Sequence, residues 1–214
     1  MLVFQILAAA FAVFMLARHL PRAVLFLAPG LLRAQGGPAA PPRSAAEARA
    51  RDDLARLGFF EVGTLRERGP LGALAVEYAV HADRDGKAFA DVARVPEPWV
   101  RLVSPCADGA ALVTSTGART AAAAASERRA VLAGASVDAA VAAHRKGLVE
   151  FERAHGAAVA SPDLAARVRA ARDHTRGEGG RALRAATADH LANAVLAAAV
   201  LAAAVKALLP ALKP

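Results

Sequence analysis

The sequence predicts an α+β fold: a small antiparallel meander of four or five strands, packed by helices and flanked at both ends by hydrophobic helices that read as membrane spans. Three observations predict it. Residues 73–81 alternate strictly, with Leu74, Val76, Tyr78 and Val80 on one side and Ala75, Glu77, Ala79 and His81 on the other. That is the period of two a half-buried strand requires. Two Asp-Gly turns, Asp83-Arg84-Asp85-Gly86 and Cys106-Ala107-Asp108-Gly109, punctuate the same block, as tight hairpins demand. Finally, long apolar runs lie at both ends of the chain, outside this block.

Residues 2–17 are apolar except for Gln5, slightly short of the ~20 residues that cross a bilayer as a helix, and residues 23–32 are apolar again after Arg18, His19, Pro21 and Arg22. The expected arrangement is an uncleaved anchor over residues 1–33, with its second half in the interface. A signal peptide is the alternative. It lacks support because no Lys or Arg precedes the run and no small-x-small cleavage site follows it. Residues 34–43, rich in Gly and Pro, read as a linker. Ser44 with Glu47 makes a capping box for a helix ending near Gly58.

A first strand is expected at residues 59–65, a second at 73–81 and a third at 87–95, where Pro96-Glu97-Pro98 must end it because two prolines remove two ladder donors. Residues 99–103 and 110–116 complete the meander. Helices are expected over one face of this sheet, since one sheet cannot bury both. Residues 121–125 are an alanine run, read as a short helix or a linker. Val137, Val141, His144, Leu148, Phe151 and His155 form one stripe of a helix capped by Ser136. A further helix is expected to start at Ser161-Pro162-Asp163, with Ser161 as cap and Pro162 at the first helical position, and to break at Gly177, Gly179 and Gly180. The soluble domain thus covers residues 44–180. Residues 187–210 form an alanine-rich C-terminal helix whose apolar run carries no charge before Lys206. Small residues at fourfold spacing, Ala194, Ala198 and Ala202, suit close packing of helices in lipid, with the N-terminal segment as the expected neighbour.

The chain of 214 residues is 56% hydrophobic but only 5% aromatic, and its net charge is +8. That balance directs attention to anionic lipid or nucleic acid. Nucleic acid is disfavoured, because Trp99 and Tyr78 are the only large amphipathic rings and no RNA-binding signature is present. Arg18, Arg22, Arg167, Arg169, Arg172, Arg176, Arg181 and Arg184 form the membrane-proximal basic set. All lie on the domain side of the two apolar runs, so the positive-inside rule places the domain in the cytoplasm, at an inner membrane, with both termini outside.

No phosphate loop, dinucleotide fingerprint, zinc motif or nucleophile elbow occurs in the sequence. No cofactor or metal is expected. A single cysteine, Cys106, excludes an internal disulfide. The first expectation for function is therefore a non-enzymatic interaction or scaffolding module at the membrane surface, its partner marked by an apolar patch on the domain. The second is a binding module for a lipid or small apolar ligand, lined by Phe59, Leu74, Val76, Tyr78 and Phe89. The third, an enzyme using Cys106 or His81, requires a thiol and a histidine in contact.

Overall fold

The computed structural model describes residues 2–70, 75–117, 129–159 and 161–209. Leu74 and the alanine run at 121–125 lie outside these described residues. The chain is α+β, as expected, but the sheet is larger than the predicted meander. In chain order the elements are α1 (Leu2–Leu27), a short 3-10 turn (Pro29–Leu31), β1 (Arg33–Gly37), α2 (Ala45–Arg56), β2 (Phe59–Arg68), β3 (Val76–Asp83), β4 (Phe89–Ala93), β5 (Val100–Pro105), β6 (Ala111–Ser115), β7 (Arg129–Val131), α3 (Val137–His155), α4 (Leu164–Arg176) and α5 (Glu178–Leu208). The seven strands pair in sequence order, and every pairing is antiparallel except β6 with β7.

Local chemistry explains the joints. At the β3–β4 turn, Gly86 takes a left-handed φ of 65°, and Asp83 Oδ1 accepts from the Asp85 amide at 3.1 Å. At the β5–β6 turn, Gly109 takes φ 83°, and Asp108 Oδ1 accepts from the Ala110 amide at 2.8 Å. Ser44 caps α2 through the Glu47 amide, and Ser136 caps α3 through the Ala139 amide. The cap of α4 is Asp163, accepting from the Ala166 amide at 2.8 Å, not Ser161. The carboxylate is two residues nearer the helix and carries the charge that the helix N-terminus favours.

Three expectations are corrected. First, residues 34–43 are not a free linker. The first of them belong to β1, which pairs with β2 from Arg33↔Arg68 to Gly37↔Thr64. The remainder is held down by Arg51, which donates to the Ala40 carbonyl at 2.9 Å, and by Arg94, which donates to the Pro41 carbonyl at 2.7 Å. Secondly, helices cover both faces of the sheet, not one. Leu65, Tyr78, Val80, Phe89 and Ala93 pack with Val168 and Ala171 of α4. Phe59, Ala79, Ala90, Val92 and Leu102 pack with Leu54 of α2 and Ala140 and Val141 of α3. Thirdly, the expected anchor of residues 1–33 is not one segment: α1 runs through Pro21 to Leu27, and Arg33 already belongs to β1. The glycines after Arg176 likewise restart a helix at Glu178, earlier than predicted.

The ends of the chain meet. His19 of α1 touches His190 of α5, and ten residues further on Pro29 lies against Gly180, ten residues earlier in α5. The two helices therefore run antiparallel as a hairpin. Ala12, Ala23, Leu25, Ala194, Ala197 and Ala204 are buried, whereas Phe4, Leu7, Phe11, Phe14, Val195 and Leu196 are each more than half exposed. Both helices are long and apolar enough to cross a membrane, over Val3–Leu27 and Leu183–Leu208.

Candidate functional site

The residues expected to line one apolar pocket are divided by the sheet. Phe59 belongs to the face under α2 and α3, while Tyr78 and Phe89 belong to the face under α4. Val76 is partly buried beside the latter pair. Tyr78 meets Trp99 edge to face at 5.6 Å between ring centroids, and the Arg101 guanidinium lies 4.3 Å from the Tyr78 ring centre. That space is filled by side chains, and burial pushes the Tyr78 phenol up, beyond the reach of physiological pH.

Beneath α4 lies a buried charge cluster. Asp91, wholly inaccessible, accepts from Arg167 Nε at 3.0 Å and from Arg101 Nε at 2.8 Å. Arg101 also donates to Glu67 at 2.9 Å. Burial alone would push the Asp91 carboxyl up, but Arg167 and then Arg101 outweigh it and hold Asp91 below the ordinary carboxylate range. Arg167, placed by the sequence among membrane-proximal cations, is thus an interior residue that joins α4 to β4.

The other face carries a groove of about 250 Å³ between α3 and the β3–β4 hairpin, lined by Phe59, Leu102, Val141, Leu148 and Val149 with Asp83, Lys87 and Glu152 at its polar rim. Lys87 bridges to Glu152 at 3.1 Å along that rim. At its floor, His144 is held between two hydroxyls, with Nε2 2.9 Å from Ser104 Oγ and Nδ1 2.9 Å from Thr114 Oγ1. Burial, with help from Arg145, pushes the His144 pKa down to about 4. A neutral imidazole donates from one nitrogen and accepts at the other, so the ring is satisfied as it stands. Among the described residues no carboxylate orients it, and Ser104 is wholly buried. The triplet fastens α3 to β5 and β6. Ser104 and Thr114 had no sequence signal of their own, because their role depends on the strand register that sets them side by side.

Cys106 packs among Ala110, Leu112, Leu148, Phe151 and Ala158. Burial, then Asp108 and Glu152, push its thiol up, the reverse of what an activated thiolate needs. His81 is buried on the α2 and α3 face of the sheet, and its pKa is depressed to about 4 by burial and then by Arg51. His155 pairs with Asp108 at 2.8 Å on the surface. Among the described residues no three His, Cys, Asp or Glu side chains gather as a metal-binding group.

At the base of the hairpin, Arg22 Nη1 lies 3.3 Å from His190 Nε2, and His190 Nδ1 lies 2.8 Å from His19 Nδ1. Arginine only donates, so His190 must carry its proton on Nδ1 and pass it toward His19, whose own proton then sits on Nε2. Arg18, Arg22, Arg169, Arg172, Arg176, Arg181 and Arg184 are exposed. Arg172 and Arg176, with Arg33, line a second pocket of about 260 Å³ that also includes Gly30, Ala34 and Gln35. Compared with protein-family models, curated proteins and solved structures, the chain matches none of them.

Proposed function

We propose that the protein is a membrane-anchored interaction module without catalytic activity. Its α1–α5 hairpin spans an inner membrane and holds the α+β domain at the cytoplasmic surface. The observation that carries this reading is the hairpin's inverted dressing: apart from Leu25, its buried apolar residues are alanines, while Phe4, Leu7, Phe11, Phe14, Val195 and Leu196 face outward. A water-soluble helix pair buries its large side chains, whereas in lipid small residues at the seam let the backbones approach. A cleaved leader is also hard to reconcile with a first helix that pairs with the last one. The antiparallel arrangement puts Arg18, Arg22, Arg181 and Arg184 at the same end of the hairpin, which supports a cytoplasmic domain by the positive-inside rule. The groove beside α3 is the surface that suits a protein partner, since Val149 is 53% exposed at its edge among other apolar residues.

The test uses introduced cysteines, because native Cys106 is only 4% exposed and a poor reporter. In a Cys106→Ala background, Arg153→Cys on exposed α3 should react with a membrane-impermeant maleimide only after cell lysis, and the protein should stay in the membrane pellet through alkaline carbonate. Labelling in intact cells would reverse the orientation, and release by carbonate would remove the anchor. A photo-crosslinking residue at Val149 should trap a protein of defined size that the same residue at Arg68 does not. Identical patterns from both positions would count against the groove.

A further inference from the structure

We propose that the basic pocket between β1 and α4 binds the phosphate of an anionic phospholipid. The proposal rests on the reading that α1 and α5 lie in a bilayer, and it names the ligand class that this arrangement recruits. The pocket is lined by Gly30, Leu32, Arg33, Ala34, Gln35, Arg172, Thr175 and Arg176, so three arginines border it with no carboxylate among the lining residues. Their charges are not spent elsewhere. Arg33 makes no ion pair among the described residues. Arg172 directs Nε and Nη2 to the Ala34 carbonyl, at 3.3 and 3.0 Å, which fixes its plane and leaves Nη1 for another acceptor. Arg176 reaches Asp173 only at 3.8 Å, with both side chains largely exposed, a pair that contributes little. Three like charges held together repel one another unless an anion joins them, and guanidiniums bind phosphate oxygens through paired N–H groups.

Position separates a lipid from other phosphates. The pocket begins three residues beyond the end of α1, at the level where Pro29 abuts Gly180 of α5. With the two candidate spans, Val3–Leu27 and Leu183–Leu208, in the bilayer, that level is the headgroup layer, and Arg18, Arg22 and Arg184 lie within the spans and reach the surface along their own side chains. Beside it, Leu27 is 64% and Leu31 45% exposed. Apolar side chains below and cations above match the two halves of an anionic phospholipid, and a soluble phosphate ester would leave Leu27 and Leu31 uncovered.

The experiment takes the full chain in micelles of an uncharged detergent and follows its thermal midpoint during titration with phosphatidylglycerol, phosphatidylcholine or glycerol phosphate. Phosphatidylglycerol should raise the midpoint, and the other two should not. Arg33→Gln and Arg176→Gln change exposed side chains and leave the Arg172 contact to Ala34 intact, so the fold is kept. Each should weaken phosphatidylglycerol binding about fivefold, the factor that one arginine near an anionic surface is worth. Arg84→Gln with Arg153→Gln removes two charges far from the pocket, twice what either pocket variant removes, and should leave binding unchanged. Equal weakening by that control pair would mean diffuse attraction and would overturn the site. A midpoint rise with glycerol phosphate equal to that with phosphatidylglycerol would overturn the lipid in favour of a free phosphate ester. Carbonate extraction of the same proteins keeps the two readings apart. If the lipid site alone is wrong, the parent still pellets; a parent that is extracted overturns the anchor and this proposal together.

Discussion

His144 holds a hydroxyl at each ring nitrogen, so taking up a proton means turning one of Ser104 or Thr114 from donor into acceptor inside a dry contact. With His81 it sits near a pKa of about 4, below the ordinary histidine value of 6.5. The unfolded chain therefore binds protons between these values that the folded chain refuses, and stability must fall as pH drops through 6.5 toward 4. Each histidine contributes up to roughly 3 kcal/mol to that loss. The thermal midpoint should decline over this window, and His144→Gln should lower it at neutral pH while flattening the decline; an unchanged slope would remove His144 as the sensor. Asp91 behaves oppositely. Its charge is required by two arginines, so Asp91→Asn should destabilise the domain by about 3–5 kcal/mol, as losing one member of a buried charge cluster does. The measurement is the denaturant midpoint, and a change under about 1 kcal/mol would mean that water or another acceptor serves Arg167. The sequence shows His144 on an apolar helical stripe, which is why its burial was legible. Asp91 and Arg167 stand 76 positions apart, and no local pattern reveals such a pair, so Arg167 reads from sequence as one more surface cation.

At the level of elements, legibility followed the strength of local signals. The turns at Gly86 and Gly109, the caps at Ser44 and Ser136, and the stop at Pro96 are short-range chemistry, and each stands where the residues place it. β1 is hidden for a physical reason. Its residues are Arg33-Ala34-Gln35-Gly36-Gly37, poor strand formers, yet the glycines are what the packing needs. A Cβ at Gly36 would meet Leu164 of α4 at 2.9 Å, and one at Gly63, the bulge of β2, would meet the Gly37 carbonyl oxygen at 2.6 Å. Gly63 also holds a φ of 143°. Gly63→Ala should therefore cost at least about 2 kcal/mol through strain and a backbone clash, while Gly30→Ala, with nothing within 4 Å of the added carbon, should stay within about 0.5 kcal/mol. Equal midpoints for the two variants would show that β1 and Leu164 do not close over Gly63 as tightly as described. The same small residues, Ala79, Ala90 and Ala140, conceal that the second face of the sheet is also covered. A strand rich in alanine looks half-exposed by hydropathy, although alanine is what allows a helix to come near.

For the whole molecule, the two apolar runs were plain in the sequence and the N-terminal segment was the expected neighbour of the last helix, but the seam itself was not legible: Ala198 and Ala202 of the expected ridge are exposed, while Ala197 and Ala204 are buried with Ala194. The contact between His19 and His190 makes the choice testable. In a Cys106→Ala background, His19→Cys with His190→Cys should be joined within one chain by a short bis-maleimide, since the rings they replace lie 5.0 Å apart between centroids. Leu7→Cys with His190→Cys should not be joined, because the intervening twelve residues of α1 span about 18 Å at 1.5 Å per residue. A product of single-chain mass with altered gel mobility is the expected result. A product of twice the chain mass would place α1 against α5 of a second copy, and the anchor would then be a four-helix assembly shared between two domains. Absence of any link, with both cysteines reactive to a monofunctional maleimide, would separate the helices and overturn the hairpin. Only the first outcome fixes one domain over one hairpin, the arrangement on which the proposed lipid site at Arg33, Arg172 and Arg176 depends.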